Sequence, residues 1–507
     1  MADESIQCHD DPNTCDTVSS LHVPIIFVPG VMGSRLDIIS GRSWDPDDAT
    51  AMGNWLSLTD ASVQKTRSAL RGGGTGTPAT PATTKTKLYH SRVFSDPIDE
   101  VYKSARCRAI GKLATGKDDK ALIGDYYGEQ RSWASICWGF YGSLLMRLES
   151  ELNLEHDDPC FPVFACGYDW RAPNEVSGAK INAFIRKVLA RYQAVASDAI
   201  VITHSMGGLA VRAGMMVDGS IKQKIRGVIH GLQPSLGAVV CYRRFLTGTT
   251  PPADRQSEAA DYVLNSVMGK TGPRYAYNLS GCPGPLQLLP NHVYSKFGGP
   301  WLRGMDSSYD LNAVYDIYRR FQLPGIAQVA ALGEEQSGSK AEKASHSVRA
   351  DFAANINRAE TFHKGVEQVA HDRTYVIYTT GLRCDQSIEF LNYGATKGGK
   401  VSAPEVPVPI IPATPYYYPP PPPRKEVWRT SGVGDSELTN LEDEITYHRS
   451  PDGDGTVPVV SAECPSLSPP PLSSPQAGAK PLEHSKAYGD ADFQILTLSY
   501  IHRLLSP

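Results

Sequence analysis

The chain has 507 residues, enough for one large domain or about two to three ordinary ones. Hydrophobic residues at 41% and charged residues at 21% fit a globular protein with a sizeable core, and a formal charge of −4 with no Lys/Arg run offers nothing to nucleic acid. No apolar stretch reaches bilayer-spanning length, and ten cysteines without a CxxC pair are too few for a disulfide scaffold and wrongly spaced for zinc.

The opening "MADESIQCHDDPNTCD" is acidic and lacks an apolar h-region. Residues 1–20 are therefore expected to be a flexible tail, and the chain to be cytoplasmic as synthesised, without a secretory signal peptide; export by a signal-independent route stays open. "VPIIFVPGVMG" (23–33) is a continuous apolar run that suits a strand buried on both faces. "RGGGTGTPATPATTKTK" (71–87) is low-complexity and reads as a surface excursion. "WGFYGSLLMRLESEL" (138–152) predicts an amphipathic helix, and "FPVFACGYDWR" (161–171) a strand followed by a turn. A Cys160–Cys166 loop is conceivable only in an oxidising compartment. Ile181, Phe184, Ile185, Val188, Leu189 and Tyr192 recur at helical spacing. Strand "AIVITHS", a helix to about 218 and strand "IRGVIHGL" (225–232) follow. Such alternation predicts an α/β core with a parallel sheet.

From 239 to 370 the alternation stops, and this segment reads as an inserted cap. The sheet resumes at "RTYVIYTTGL" (373–382), so the α/β core divides into 21–238 and 371–507. The later part carries proline-rich excursions at 401–425 and 465–481. "ITYHRSPDGDGTVPVVSA" (445–462) predicts strand, Asp/Gly turn, strand, and "EHSKAYGDADFQILTLSYIHRLL" a closing helix.

"VITHSMGGLAVRAG" (201–214) places one serine and two glycines in the corner between a strand and a helix. This fits the nucleophile elbow G-x-S-x-G, with Thr203 in place of the first glycine. A serine there is either a helix N-cap or a nucleophile, and a nucleophile needs a base oriented by an acid. In this fold the chain order is serine, acid, histidine. Asp452 or Asp454 and then His484 supply it, with Asp454 the expected acid. The turn also resembles a calcium loop, but Val457 stands where such a loop requires glycine. His204, adjacent to Ser205, is read as structural or as supporting the site from behind. Two backbone donors would form an oxyanion hole: Met206, after the serine, and Val31, in the turn after the first strand. No G-x-G-x-x-G follows a first strand, and no cofactor or metal is implied.

Together "PIIFVPGVMGSRL", "GYDWR", "THSMGGLAVR", "LQLLP" and "DGDGTVP" followed by "EHSKAY" resemble the lecithin:cholesterol acyltransferase-like branch of the α/β-hydrolases. "HSMGG" is also the form of the inositol-deacylase relatives, and "GVIHGLQPSLGAVVCYRR", "AHDRTYVIY" and "LSYIHRLL" resemble bacterial type VI secretion lipase effectors. The resemblance implies an α/β-hydrolase fold with a large inserted cap, and a serine lipase or phospholipase acting on membrane lipids at the membrane surface. Lipid acyltransferase is the alternative, and an inactive interaction protein is the reading from another class. Catalytic roles fall on Ser205, Asp454 and His484. Asp169, Trp170 and Arg171 would lie beside the acyl pocket, unless they form a buried ion pair with an indole packed on it. An immunity or secretion-system protein is the partner implied. Within the cap, Leu286, Leu288, Leu289, Val293, Tyr294, Phe297, Trp301 and Leu302 form either its own core or a lipid-contacting face, with Trp301 the expected substrate contact.

Overall fold

The computed structural model describes residues 22–38, 42–56, 70, 86–88, 131–153, 161–249, 267–269, 272–303, 314–321, 339–390, 426–428, 445–473 and 480–506. The tail 1–20, most of the excursion at 71–87, all of 401–425 and residues 474–479 lie outside them.

The central sheet has five strands: β1 (Ile25–Val28), β2 (Val163–Ala165), β3 (Ala199–His204), β4 (Ile225–Gly231) and β5 (Thr374–Ile377). Their spatial order is β2-β1-β3-β4-β5, and every pairing is parallel. Helices α1 (Trp138–Leu152), α2 (Asn174–Arg191), α3 (Met206–Val217), α4 (Val239–Thr247), α5 (Ser339–Val366) and α6 (Ala491–Leu505) account for most of the remaining regular structure.

Alternation along β1 divides the core into two. Ile25 and Phe27 pack with Leu144, Leu145 and Leu148 of α1 and Ile501 and Leu504 of α6. Ile26 and Val28 pack with Ile181 and Ile185 of α2 and Leu209 and Val211 of α3. Side chains of period two thus feed opposite faces, and helices cover both, which is why these strands read as unbroken apolar runs. The fold is α/β, as the strand–helix alternation predicts.

Three boundaries move. The helical spacing read between 180 and 194 belongs to a helix that begins at Asn174 and ends at Arg191. The sheet strand expected through 382 ends at Ile377, and Cys384–Phe390 enters a second sheet between Ile445–Ser450 and Leu302–Arg303, with Glu426–Trp428 on the far side of Ile445–Ser450. "TVPVV" is not a strand: Val459–Ala462 is a helical turn entered from Pro458. Proline has no N–H for a ladder but is tolerated at a helix start, and the Ser461 hydroxyl ties the turn down by donating to Gly237 O at 2.7 Å.

Between β4 and β5 the described regular structure is helical apart from Leu302–Arg303. Its apolar residues face inward. Trp301 is fully buried, with ring centroids 5.3 Å from Tyr242 and 6.2 Å from Tyr294. Leu286, Leu288, Leu289, Tyr294 and Leu302 are buried too, and Val293 and Phe297 pack against the same core. The expectation that Trp301 contacts substrate or a lipid surface is therefore corrected: burial among aromatic rings makes it part of the insertion's own core.

Three fully enclosed histidines carry a pH signature. Burial pushes His230 down to about 3 and His363 to about 4, and holds His204 well below the ordinary value of 6.5. Unfolded histidines take up a proton that these refuse, so their stabilising contribution is complete above about pH 6.5 and is lost progressively toward the folded values. Denaturant midpoints are expected to fall from about pH 7.5 to about pH 5, and His363→Gln should flatten that slope. A midpoint independent of pH over this range would contradict the assignment.

Candidate active site

β3 ends at His204, α3 begins at Met206, and Ser205 is the corner between them. Its backbone lies at φ 51°, ψ −126°, a left-handed conformation uncommon for a residue with a side chain. Its N–H donates to Gly231 O of β4 at 2.9 Å. Ser205 accepts no side-chain capping bond from the helix, so the N-cap alternative does not describe it.

The corner is tight enough to exclude side chains on both sides. A Cβ on Gly207 would lie 2.4 Å from Pro29 O, and one on Gly30 would lie 2.9 Å from His204 Nδ1 and 3.0 Å from Ser205 Cβ. Thr203 fits where the motif has glycine because its side chain points along the sheet, its hydroxyl 2.8 Å from His230 Nδ1 of the next strand.

Residues about 250 to 280 positions further on complete the site. His484 Nε2 lies 2.9 Å from Ser205 Oγ, and His484 Nδ1 lies 2.6 Å from Asp454 Oδ2. A carboxylate only accepts, so Nδ1 carries the proton and Nε2 is left to accept from the serine hydroxyl. The other carboxylate oxygen, Oδ1, accepts from the N–H groups of Thr456 at 2.9 Å and Val457 at 2.7 Å. Those bonds fix the carboxylate plane. Asp454 is 1% exposed, whereas Asp452 is at the surface and holds only the Ser450 hydroxyl.

The exit of β5 clamps both late segments, a feature invisible in the motifs. Gly381 N donates to Pro451 O at 2.7 Å and Leu382 N to Gly453 O at 3.0 Å, beside the acid. The Thr379 hydroxyl donates to Leu482 O at 3.2 Å, beside the base. Asp454 O accepts from His484 N at 3.0 Å.

The expected oxyanion donors flank the serine. Met206 is the first residue of α3, where a helix N–H has no intrahelical acceptor. On the other side Gly30–Gly33 form a turn, closed by Gly33 N–H to Gly30 O at 3.1 Å, with Met32 at φ 63°. Because C=O and N–H oppose each other in a trans peptide, the Val31 N–H points away from that turn. The Trp44 indole donates to Met32 O at 3.0 Å and holds the strained residue in place.

"GYDWR" takes the ion-pair form. Arg171 is buried and binds both carboxylate oxygens of Asp169, each at 2.9 Å. Trp170 is fully buried, 5.3 Å from the Trp44 ring. Their link to the site runs through the neighbouring loop, where Tyr168 N donates to Ser34 Oγ at 3.0 Å. Cys166 is a free buried thiol.

A parallel sheet with a strained serine at a strand–helix corner, and histidine and carboxylate in line behind it, defines an α/β-hydrolase. The family described as lecithin:cholesterol acyltransferase matches over residues 161–465, and the chain belongs to that family, whose enzymes are of lipase or acyltransferase type. A chain in the crystal structure of the Tle4–Tli4 complex shares the fold, with TM-score 0.61 and 16% identity over 95% of this chain and 98% of that one. No curated protein sequence matches.

Alanine in a helix ordinarily gains about 1 kcal/mol over glycine. Gly207→Ala is expected to do the opposite, costing about 1–3 kcal/mol through overpacking against Pro29. Gly53→Ala, in helix Ala49–Leu56 with open space around it, should show the ordinary gain. Thermal unfolding of the two variants separates these outcomes.

Proposed function

We propose that this protein is a serine lipase or phospholipase that hydrolyses acyl esters of membrane lipids through an acyl-enzyme. The observation that carries the reading is the unbroken line from Asp454 Oδ2 through His484 to Ser205 Oγ, with contacts of 2.6 and 2.9 Å. Family membership supports acyl-ester chemistry, and the strained serine supports a nucleophile over a cap.

In this mechanism His484 Nε2 takes the Ser205 proton as Oγ attacks the acyl carbonyl. Asp454 holds the ring in the Nδ1–H tautomer and stabilises the imidazolium that forms. The Met206 and Val31 N–H groups receive the developing oxyanion. Imidazolium returns its proton to the departing alcohol, and water, activated by the same nitrogen, releases the acid. An acceptor alcohol in place of water gives the acyltransferase reading, which the family match favours as the second choice. A hydrolase fold used only for interaction leaves the assembled Ser–His–Asp line without a purpose.

The Tle4–Tli4 structure is that of a complex. An immunity or secretion-system protein as partner, and delivery by a signal-independent route, are proposed on that likeness together with the sequence resemblance. The segment 239–370 is proposed as a cap over the site. It is bonded to the loop after β4, where Ala238 N donates to Leu288 O and Asn291 N to Leu236 O.

Purified protein incubated with mixed phospholipid vesicles, with and without an added alcohol, tests the reading through its products. Free fatty acid alone indicates hydrolase, and a new ester indicates transferase. Ser205→Ala should abolish either, and a fluorophosphonate should label wild type at Ser205 only. Product formation unchanged in Ser205→Ala would contradict the proposal.

Asp454→Asn is expected to lower kcat by about 10⁴-fold through the wrong imidazole tautomer. Asp452→Asn should change it far less, because that exposed side chain accepts from the Ser450 hydroxyl and not from His484. A larger loss at Asp452 in steady-state assays would reverse the assignment.

A further inference from the structure

The residue before the serine is spent on neither packing alone nor chemistry. His204 is buried, and its two ring nitrogens reach different parts of the site. Nε2 lies 3.0 Å from the backbone carbonyl oxygen of His484. Nδ1 lies 2.8 Å from the hydroxyl of Tyr141 on α1, and that same hydroxyl lies 3.2 Å from the Gly30 N–H.

Proton bookkeeping fixes every direction in this chain. A carbonyl oxygen only accepts, so His204 carries its proton on Nε2 and donates it to His484 O. Nδ1 is then an acceptor, so the Tyr141 hydroxyl donates to it and accepts from Gly30 N–H in turn. Burial holds the His204 imidazole neutral, consistent with a ring that must accept at one nitrogen while donating at the other. The His204 ring sits among Tyr141, Tyr488 and His484, with centroids 5.6, 5.6 and 4.9 Å away.

We propose that Tyr141 and His204 are positioning residues whose three hydrogen bonds lock the Gly30–Val31 turn and the His484 backbone to one another. Gly30 precedes Val31, the outer oxyanion donor in the function proposed above, and His484 is its base, so this inference rests on that reading. The two groups come from opposite ends of the chain, yet both must meet one tetrahedral carbon within a fraction of an ångström. A misplacement of about 1 Å at such a site costs on the order of 100-fold. The relay ties them through the serine's own neighbour.

The test uses the full-length protein, with kcat and KM measured on a soluble short-chain p-nitrophenyl ester and the rate of fluorophosphonate labelling measured in parallel. Tyr141→Phe keeps the ring and removes the hydroxyl, and His204→Phe puts a somewhat larger apolar ring in place of the imidazole. Each is expected to lower kcat and the labelling rate by about 10- to 100-fold with KM unchanged, the pattern of an interaction that matters only in the transition state. The double variant should be no worse than the poorer single one, because one broken link already opens the relay. His204→Gln can present an N–H to His484 O and an oxygen to Tyr141, and should recover most of the loss.

Wild-type kcat in both Phe variants, losses that multiply in the double variant, a change confined to KM, or no rescue by Gln would each overturn the proposal. Should His204→Phe fail to fold, Tyr141→Phe beside His204→Gln still decides. Labelling at Ser205 with unaltered rates in the variants overturns the relay alone. Wild-type protein unlabelled at Ser205 overturns the proposed function and the relay with it.

Discussion

The backbone of Ser205, held at φ 51°, ψ −126°, is the constraint around which the rest of the structure is arranged. A residue with a side chain in such a conformation carries strain of about 1–3 kcal/mol and persists only when its surroundings over-determine it. They do so here. The Ser205 N–H is committed to Gly231 of β4, α3 starts at the next residue, and Gly207 lets that helix close against the end of β1. Tyr488, from just before the closing helix, donates its hydroxyl to Thr203 O at 2.9 Å. A parallel sheet buried at nearly every position supplies the rigidity that this corner needs.

The second half of the site reaches the first through a closed circuit of hydrogen bonds. Ser461, in the helical turn after Asp454, accepts at its backbone oxygen from the Ser235 hydroxyl, and its own hydroxyl accepts from Leu236 N. Those residues follow β4, whose Gly231 anchors Ser205. The exit of β5 grips the acid turn and the histidine loop together. Asp454, His484 and Ser205 are therefore held relative to the same two neighbouring strands, although the chain between them includes the whole insertion and two proline-rich stretches. Positional accuracy comes from the sheet.

Much of this was legible in the residues because it depends on local pattern. Apolar runs such as "IIFV" and the helical spacing in 181–192 announce buried strands and a core-facing helix, and Trp138–Leu152 was readable to the residue. "THSMGG", "DGDGTV" and "EHSKAY" carry small residues and turn formers where backbones approach closely, and the structure brings their Ser205, Asp454 and His484 into one line. What was not legible depends on tertiary context. "TVPVV" has strand composition, but Pro458 and the Ser461 anchor turn it into a helix start. Trp301 looked like a surface anchor because composition cannot say whether an aromatic patch faces outward or folds on itself. Tyr141 lay unnoticed inside an amphipathic helix, since its hydroxyl gains meaning only when α1 packs beside His204. Thr379 and Leu382 were hidden for the same reason.

In the proposed mechanism Ser205 carries the acyl group during turnover. Rapid acid quench of the enzyme during hydrolysis of a lipid ester, followed by peptide mapping by mass spectrometry, measures this directly. The account predicts one acyl increment on the peptide containing Ser205 and none in Ser205→Ala. An acyl group on another residue, or turnover that continues in Ser205→Ala, would contradict it.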